Sequence, residues 1–172
     1  MGDRLWVIGL VVLLVSCTGQ GPQRPSQRKS AVQQPDTTLV ALMELNQRMA
    51  QAADEQLLHI VQSQDTAFAL YERGTWAYIL DPGDVTREAI TPGAQCTIHM
   101  RVYALNGKLY WDTQQTAQAG KYVFIPAIDE NITEWHYGAR IVLYAPWYAA
   151  FGITGKDAIP PYENVRIELV IK

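Results

Sequence analysis

The stretch Gly138-Ala139-Arg140-Ile141-Val142-Leu143-Tyr144-Ala145-Pro146-Trp147-Tyr148-Ala149-Ala150-Phe151-Gly152 decides the fold. Arg140 to Ala145 is an apolar, β-favouring run of strand length. Trp147 and Tyr148 follow Pro146 on a loop, either as surface aromatics or as local packing. Downstream, Pro160-Pro161 forms a rigid loop that restricts Ile159, and Val165 to Ile171 reads as another strand.

Upstream the pattern is also one of strands. Trp76-Ala77-Tyr78-Ile79-Leu80 favours β-structure, and Asp81-Pro82-Gly83-Asp84 has turn chemistry. Cys96 to Leu105 is a second strand. Asn106-Gly107, followed by Lys108-Leu109-Tyr110-Trp111, is the strongest short hairpin signal in the chain. Ile128, Ile132 and Trp135 fall at i, i+4 and i+7, on one face of a short helix that ends at Gly138. Strands, one helix and further strands without regular β-α-β alternation predict an α+β domain, an antiparallel β-sheet half-wrapped around a short α-helix, over residues 75–172.

Residues 36–74 read as a helical segment. Asp36 or Thr37 can cap it, and Leu39, Leu42, Leu45, Met49, Ala53, Leu57, Ile60 and Val61 recur at three- or four-residue steps. The pattern continues through Phe68, Leu70 and Tyr71, with a break near Ser63 to Thr66, until Gly74 offers a stop. A homodimerisation or substrate-cradling arm is one reading; one or two helices packed onto the body is the other, and the imperfect heptad pattern favours it. Residues 17–35 are rich in Gln, Pro, Ser and Gly and read as a flexible tether, in which Arg24, Arg28 and Lys29 are solvated.

At the amino end, Leu5 to Val15 is an eleven-residue apolar run behind Arg4. It is too short for a bilayer span of about 20 residues and suits the core of a signal peptide. It closes in Leu14-Val15-Ser16-Cys17, which resembles the lipobox of bacterial lipoproteins. The resemblance implies a signal peptide over residues 1–16 and lipidation of Cys17. The mature chain would then be exported and held to a bacterial membrane, facing the periplasm, by several acyl chains. That leaves Cys96 as the single thiol, in a strand without a His or Asp to activate it, so it is expected to be buried and inert.

Composition narrows the function classes. With 172 residues, 48% hydrophobic, five Trp and nine Tyr, there is material for one well-packed domain with an appendage. The net charge is −3, from 14 basic and 17 acidic residues without a basic cluster, which argues against nucleic acid. His59, His99 and His136 lack the spacing of a metal site, and no phosphate loop, dinucleotide fingerprint or nucleophile elbow is present.

The quoted stretch closely resembles the strand and loop of FKBP-type peptidyl-prolyl isomerases, in which a glycine, an apolar strand and a proline precede Ala-Tyr-Gly. The similarity continues through Gly155, Ile159-Pro160-Pro161 and Asn164-Val165-Arg166-Ile167-Glu168-Leu169. Pro92-Gly93, the Asn106-Gly107 hairpin and Asp112 follow the family's order, so the resemblance spans residues 75–172. It implies rotation about X-Pro bonds of unfolded or exported polypeptides, without a cofactor or metal, in an apolar pocket between sheet and helix. Position by position, Ile125 matches the residue whose backbone N–H holds the substrate carbonyl, and Phe124 the residue before it. Ile128 takes the place of a tryptophan floor, Phe151 that of the tyrosine in Ala-Tyr-Gly, Met100 that of a strand tyrosine and Ile167 that of a closing-strand phenylalanine. Tyr110 or Trp111 is the hairpin aromatic, Ile159 lies over the pocket, and the stretch from Gln114 to Gly120 reads as a shortened loop. Asp112 is the candidate for the family's pocket aspartate, or else it caps a turn with Thr113. For Phe151, Ile125, Ile128 and Ile167 a plain core role stands beside the pocket role. The altered positions also leave room for a non-catalytic client- or partner-binding lipoprotein on the same fold.

Overall fold

The computed structural model describes residues 37–86 and 88–172. The expectations for the signal peptide, Cys17 and the tether lie outside those residues. Two compact units are distinguished, residues 1–40 and 41–172, and the packing described below belongs to the second.

Helix α1 runs over Thr37–Gln62. Its apolar steps come to rest at Ala53, Leu57 and Val61, the buried positions of the helix. These seat on the outer face of the sheet, where Leu57 and Val61 cluster with Val142 and Tyr144. The helix therefore packs onto the body through its carboxyl-terminal half. It ends where Ser63 turns back, its hydroxyl donating to the Ile60 carbonyl at 2.7 Å. The expected helix through Phe68, Leu70 and Tyr71 to Gly74 is corrected: Ala69–Leu70 is a short strand, β1, and Glu72–Gly74 a 3-10 turn. Phe68 packs edge-on against Tyr144 at 5.3 Å, so its apolar spacing serves the sheet and not a helix face.

The remaining strands are β2 (Trp76–Asp81), β3 (Gln95–Ala104), β4 (Leu109–Gln118), β5 (Arg140–Ala145) and β6 (Val165–Ile171). They form one six-stranded sheet in the order β1-β2-β5-β6-β3-β4, and every pairing is antiparallel. The β3–β4 hairpin turns at Asn106-Gly107. Gly107 takes a φ of 88°, and the Asn106 side chain accepts from the Lys108 N–H at 3.1 Å, the local chemistry that makes Asn-Gly a turn. The shortened loop expected from Gln114 to Gly120 is corrected, since Gln114 to Gln118 continue β4 in register with β3. As an edge strand β4 buries one face only, so alternate Gln and Thr are tolerated outward.

Against the inner face lies helix α2, a single turn over Pro126–Asp129 that opens with proline, whose fixed φ suits a first helical position. The longer helix expected to Gly138 is broken into this turn and a 3-10 turn at Ile132–Glu134. Ile128, Ile132 and Trp135 are nevertheless all sealed inside the inner core. Cys96 is also buried there, and desolvation pushes its thiol pKa up, with Asp129 adding to the shift. Asn131, itself buried, accepts from the Glu72 N–H at 3.0 Å and donates to the Ala127 carbonyl at 2.9 Å, tying the 3-10 turn before β2 to α2.

Candidate functional site

Four parts of the chain bring the candidate residues into one inner core cluster. β3 and β6 place Met100 and Ile167 diagonally on the inner face, Met100 opposite Leu169 and Ile167 opposite Val102. The approach to α2 brings Phe124, Ile125 and Ile128. The β5–β6 connection brings Phe151 and Ile159. All except Phe151 are buried in one contiguous cluster, against which Tyr110, Trp111 and Phe151 pack half-buried.

The connection is held in shape by its own backbone. A 3-10 turn at Trp147–Ala149 follows Pro146, and the Gly152 N–H donates back to the Trp147 carbonyl at 2.8 Å. Lys156 and Ile159 then exchange two backbone hydrogen bonds, of 3.0 and 2.8 Å, across a tight turn. Gly155, at φ 67°, must stay glycine here, because a Cβ would run into the Ile159 carbonyl and Pro160. The turn fixes Ile159 in the core and swings the Lys156 ammonium to 4.1 Å from the Trp111 ring centroid.

Burial separates floor from rim. Met100, Ile128 and Ile167 are at most 2% exposed, and Phe124 and Ile125 are 8% exposed. The half-buried members are Phe151 and Trp111, whose rings stand edge-to-face at 6.1 Å, and Tyr110, whose hydroxyl donates to Glu163 at 3.0 Å. Ile125 precedes α2 in extended conformation, and its carbonyl accepts from the Ile128 and Asp129 N–H groups. Its own N–H has no acceptor among the described residues. The chain thus offers an unused backbone donor at the start of α2, which shares one cluster with the aromatic rim.

The place given to Asp112 is corrected. Asp112 pairs with Arg101 in the ladder, on the face of the sheet opposite the core. Its carboxylate accepts from His99 Nε2 at 2.7 Å and from Arg101 Nε at 3.1 Å, so it neither joins that cluster nor caps a turn with Thr113. The cause is a bulge: β3 and β4 lose register at Val102/Tyr103, where Tyr110 is the extra residue, and Trp111 takes the inward position. His99, first, and Arg101 together hold the Asp112 carboxyl below the usual carboxylate range.

One buried acid escaped notice in the sequence. Asp129, at the end of α2, is 4% exposed, and no donor meets hydrogen-bond geometry at either carboxylate oxygen. Desolvation pushes its pKa up, and the backbone N–H groups of Phe124 and Tyr122 nearby offset this only in part. Asp129-Glu130 reads in sequence as an ordinary solvated acidic pair, so nothing there marks Asp129 as internal. Among the described residues no cluster of three or more His, Cys, Asp or Glu is placed to hold a metal ion.

The sequence matches no protein-family model and no curated protein. The fold is similar to that of solved structures, among them a crystal structure of a peptidyl-prolyl cis-trans isomerase from Pseudomonas syringae pv. tomato. The TM-score is 0.58 with 17% sequence identity, covering 72% of this chain and 92% of that one. At that identity the likeness establishes a shared fold, an α+β sheet wrapped on a short helix.

Proposed function

We propose that the chain is a peptidyl-prolyl cis-trans isomerase of FKBP type that acts on proline bonds of exported or unfolded polypeptides. It would be held to a bacterial membrane on its periplasmic side by a lipidated Cys17. The observation that carries the reading is the unused Ile125 N–H in one cluster with the half-buried rings of Phe151 and Trp111. Rotation about an X-Pro bond faces a barrier of about 18–20 kcal/mol set by amide resonance, and it needs no nucleophile, metal or general base. A donor that holds the preceding carbonyl while the proline ring rests among apolar side chains favours the twisted, less resonance-stabilised amide over the planar one. Ile125 supplies the donor, and Phe151, Trp111 and Tyr110 the walls; Phe124, Met100, Ile128, Ile159 and Ile167 back them as a floor. Asp112 has no part in this.

A second reading rests on the sealed floor. Met100, Ile128 and Ile167 close the site from below, so the rim could hold a client chain without accelerating its isomerisation. An NMR exchange assay on a proline tetrapeptide separates the two. Acceleration over the buffer rate that falls at least about tenfold in Phe151→Ala supports the isomerase. A folded wild-type chain that leaves the buffer rate unchanged overturns it in favour of the binding module.

A further inference from the structure

On the far side of the β5–β6 connection, helix α1 and the loop before β6 enclose a furrow outside the candidate slot. It consists of two hollows of about 360 and 270 Å³ that share Gln56, Tyr162 and Asn164 as lining. The first is apolar: Met49, Ala52 and Ala53 form the helix wall and Trp147 the loop wall, with the small alanines opening the trough. The second leads past Leu105 and Asn106 to Glu163. That carboxylate receives the Tyr110 hydroxyl at 3.0 Å, and Tyr110 packs against the cluster that carries Phe151. The furrow therefore ends one side chain from the candidate slot.

Its shape is held by directed bonds. Asn164, buried, accepts from the Trp147 N–H at 2.9 Å and donates to Gln56 Oε1 at 2.8 Å, so one side chain joins helix to loop along the floor. Trp147 and Tyr162 stack edge-to-face at 4.9 Å. The donors left over share one character. Gln56 Nε2 and Asn106 Nδ2 have no acceptor among the described residues. Glu163, already engaged, is the one charged residue lining either hollow. An apolar first hollow, a more polar second one with spare side-chain amides, and no spare charge match an extended, uncharged polypeptide, which brings aliphatic side chains and backbone carbonyls together.

We propose that this furrow docks an extended apolar stretch of the client polypeptide, the part of the chain that flanks the proline presented to Phe151. The proposal rests on the isomerase reading for the position of the proline, and on the furrow alone for the docking.

The test uses the full chain in detergent and two fluorescein-labelled twelve-residue peptides with the same central Ala-Leu-Pro-Phe. One is flanked by Leu, Val and Ala, the other by Ser, Gly and Asn, and affinity is read by anisotropy. One buried aliphatic side chain is worth about tenfold, so the apolar-flanked peptide is expected to bind at least that much more tightly. Ala52 is exposed on the furrow wall, and Ala52→Arg should erase the margin without loss of helical circular dichroism. Gln47→Arg, on the opposite side of α1, should keep it. Equal affinity for the two peptides, or a margin that survives Ala52→Arg, overturns the proposal. A margin that depends on Ala52 in a chain without prolyl turnover keeps the docking furrow and removes the isomerase reading. Turnover without a margin does the reverse.

Discussion

Asp112 shows how much one residue of register is worth. Strand side chains alternate between faces, so a single extra residue at Tyr110 sends Trp111 inward and Asp112 outward. No spacing in the sequence announces that bulge, which is why the identity of the inward residue was not legible while the hairpin around it was. The exposed Asp112 instead joins His99 and Arg101, and its lowered pKa gives that contact a pH dependence. The stabilisation is whole above the ordinary aspartate value of about 3.9 and disappears as pH falls below it, through the lower native value. Asp112→Asn should flatten this part of the acid limb, read as urea midpoints between about pH 5 and pH 2. Coincident limbs for the two chains would show that the triad contributes nothing. Asp129 acts with the opposite sign: burial raises its pKa, so stability falls as pH climbs from the ordinary value through the raised one. The comparison of the variant with wild type isolates Asp112 because Asp129 contributes equally to both.

At the scale of elements, the apolar period of α1 was legible as far as Gln62 and misleading beyond it. Phe68, Leu70 and Tyr71 keep a helix-like spacing because strand β1 and its flanks also need apolar contacts, Phe68 against Tyr144 and Tyr71 near Trp135. Turn chemistry proved the better guide: Asn106-Gly107 placed the β3–β4 hairpin, and Pro146 the end of β5. β4 was undercounted because Gln114 to Gln118 carry little hydrophobic signal, although cross-strand pairing with β3 holds them. The helix itself is anchored by few side chains. Leu57, fully buried between α1 and the outer face at Val142 and Tyr144, carries much of that contact. Leu57→Ala is expected to cost about 2–5 kcal/mol, measured by urea unfolding. A cost below about 0.5 kcal/mol, the level of an ordinary surface substitution, would show that the sheet is stable without this cover.

At the scale of the whole molecule, α1 starts twenty residues after Cys17. If Cys17 is the anchor, wild type expressed in a Gram-negative host should incorporate labelled palmitate and sediment with membranes, and Cys17→Ser should do neither. An unlabelled wild type would overturn the lipoprotein assignment. The sheet order carries a different consequence. β6, the last strand among the described residues, lies between β5 and β3, so Ile167 faces both Leu143 and Val102. Until β6 is in place, the β3–β4 hairpin and the β2–β5 pair have no strand between them. Pairing β3 with β6 joins Ile98 to Ile171 and Ala104 to Val165, non-local contacts whose loop closure slows folding relative to a chain of local contacts. A sheet whose central strand follows both of its neighbours in sequence leaves those neighbours as open edges until it arrives, the stage at which one copy is most exposed to pairing with another.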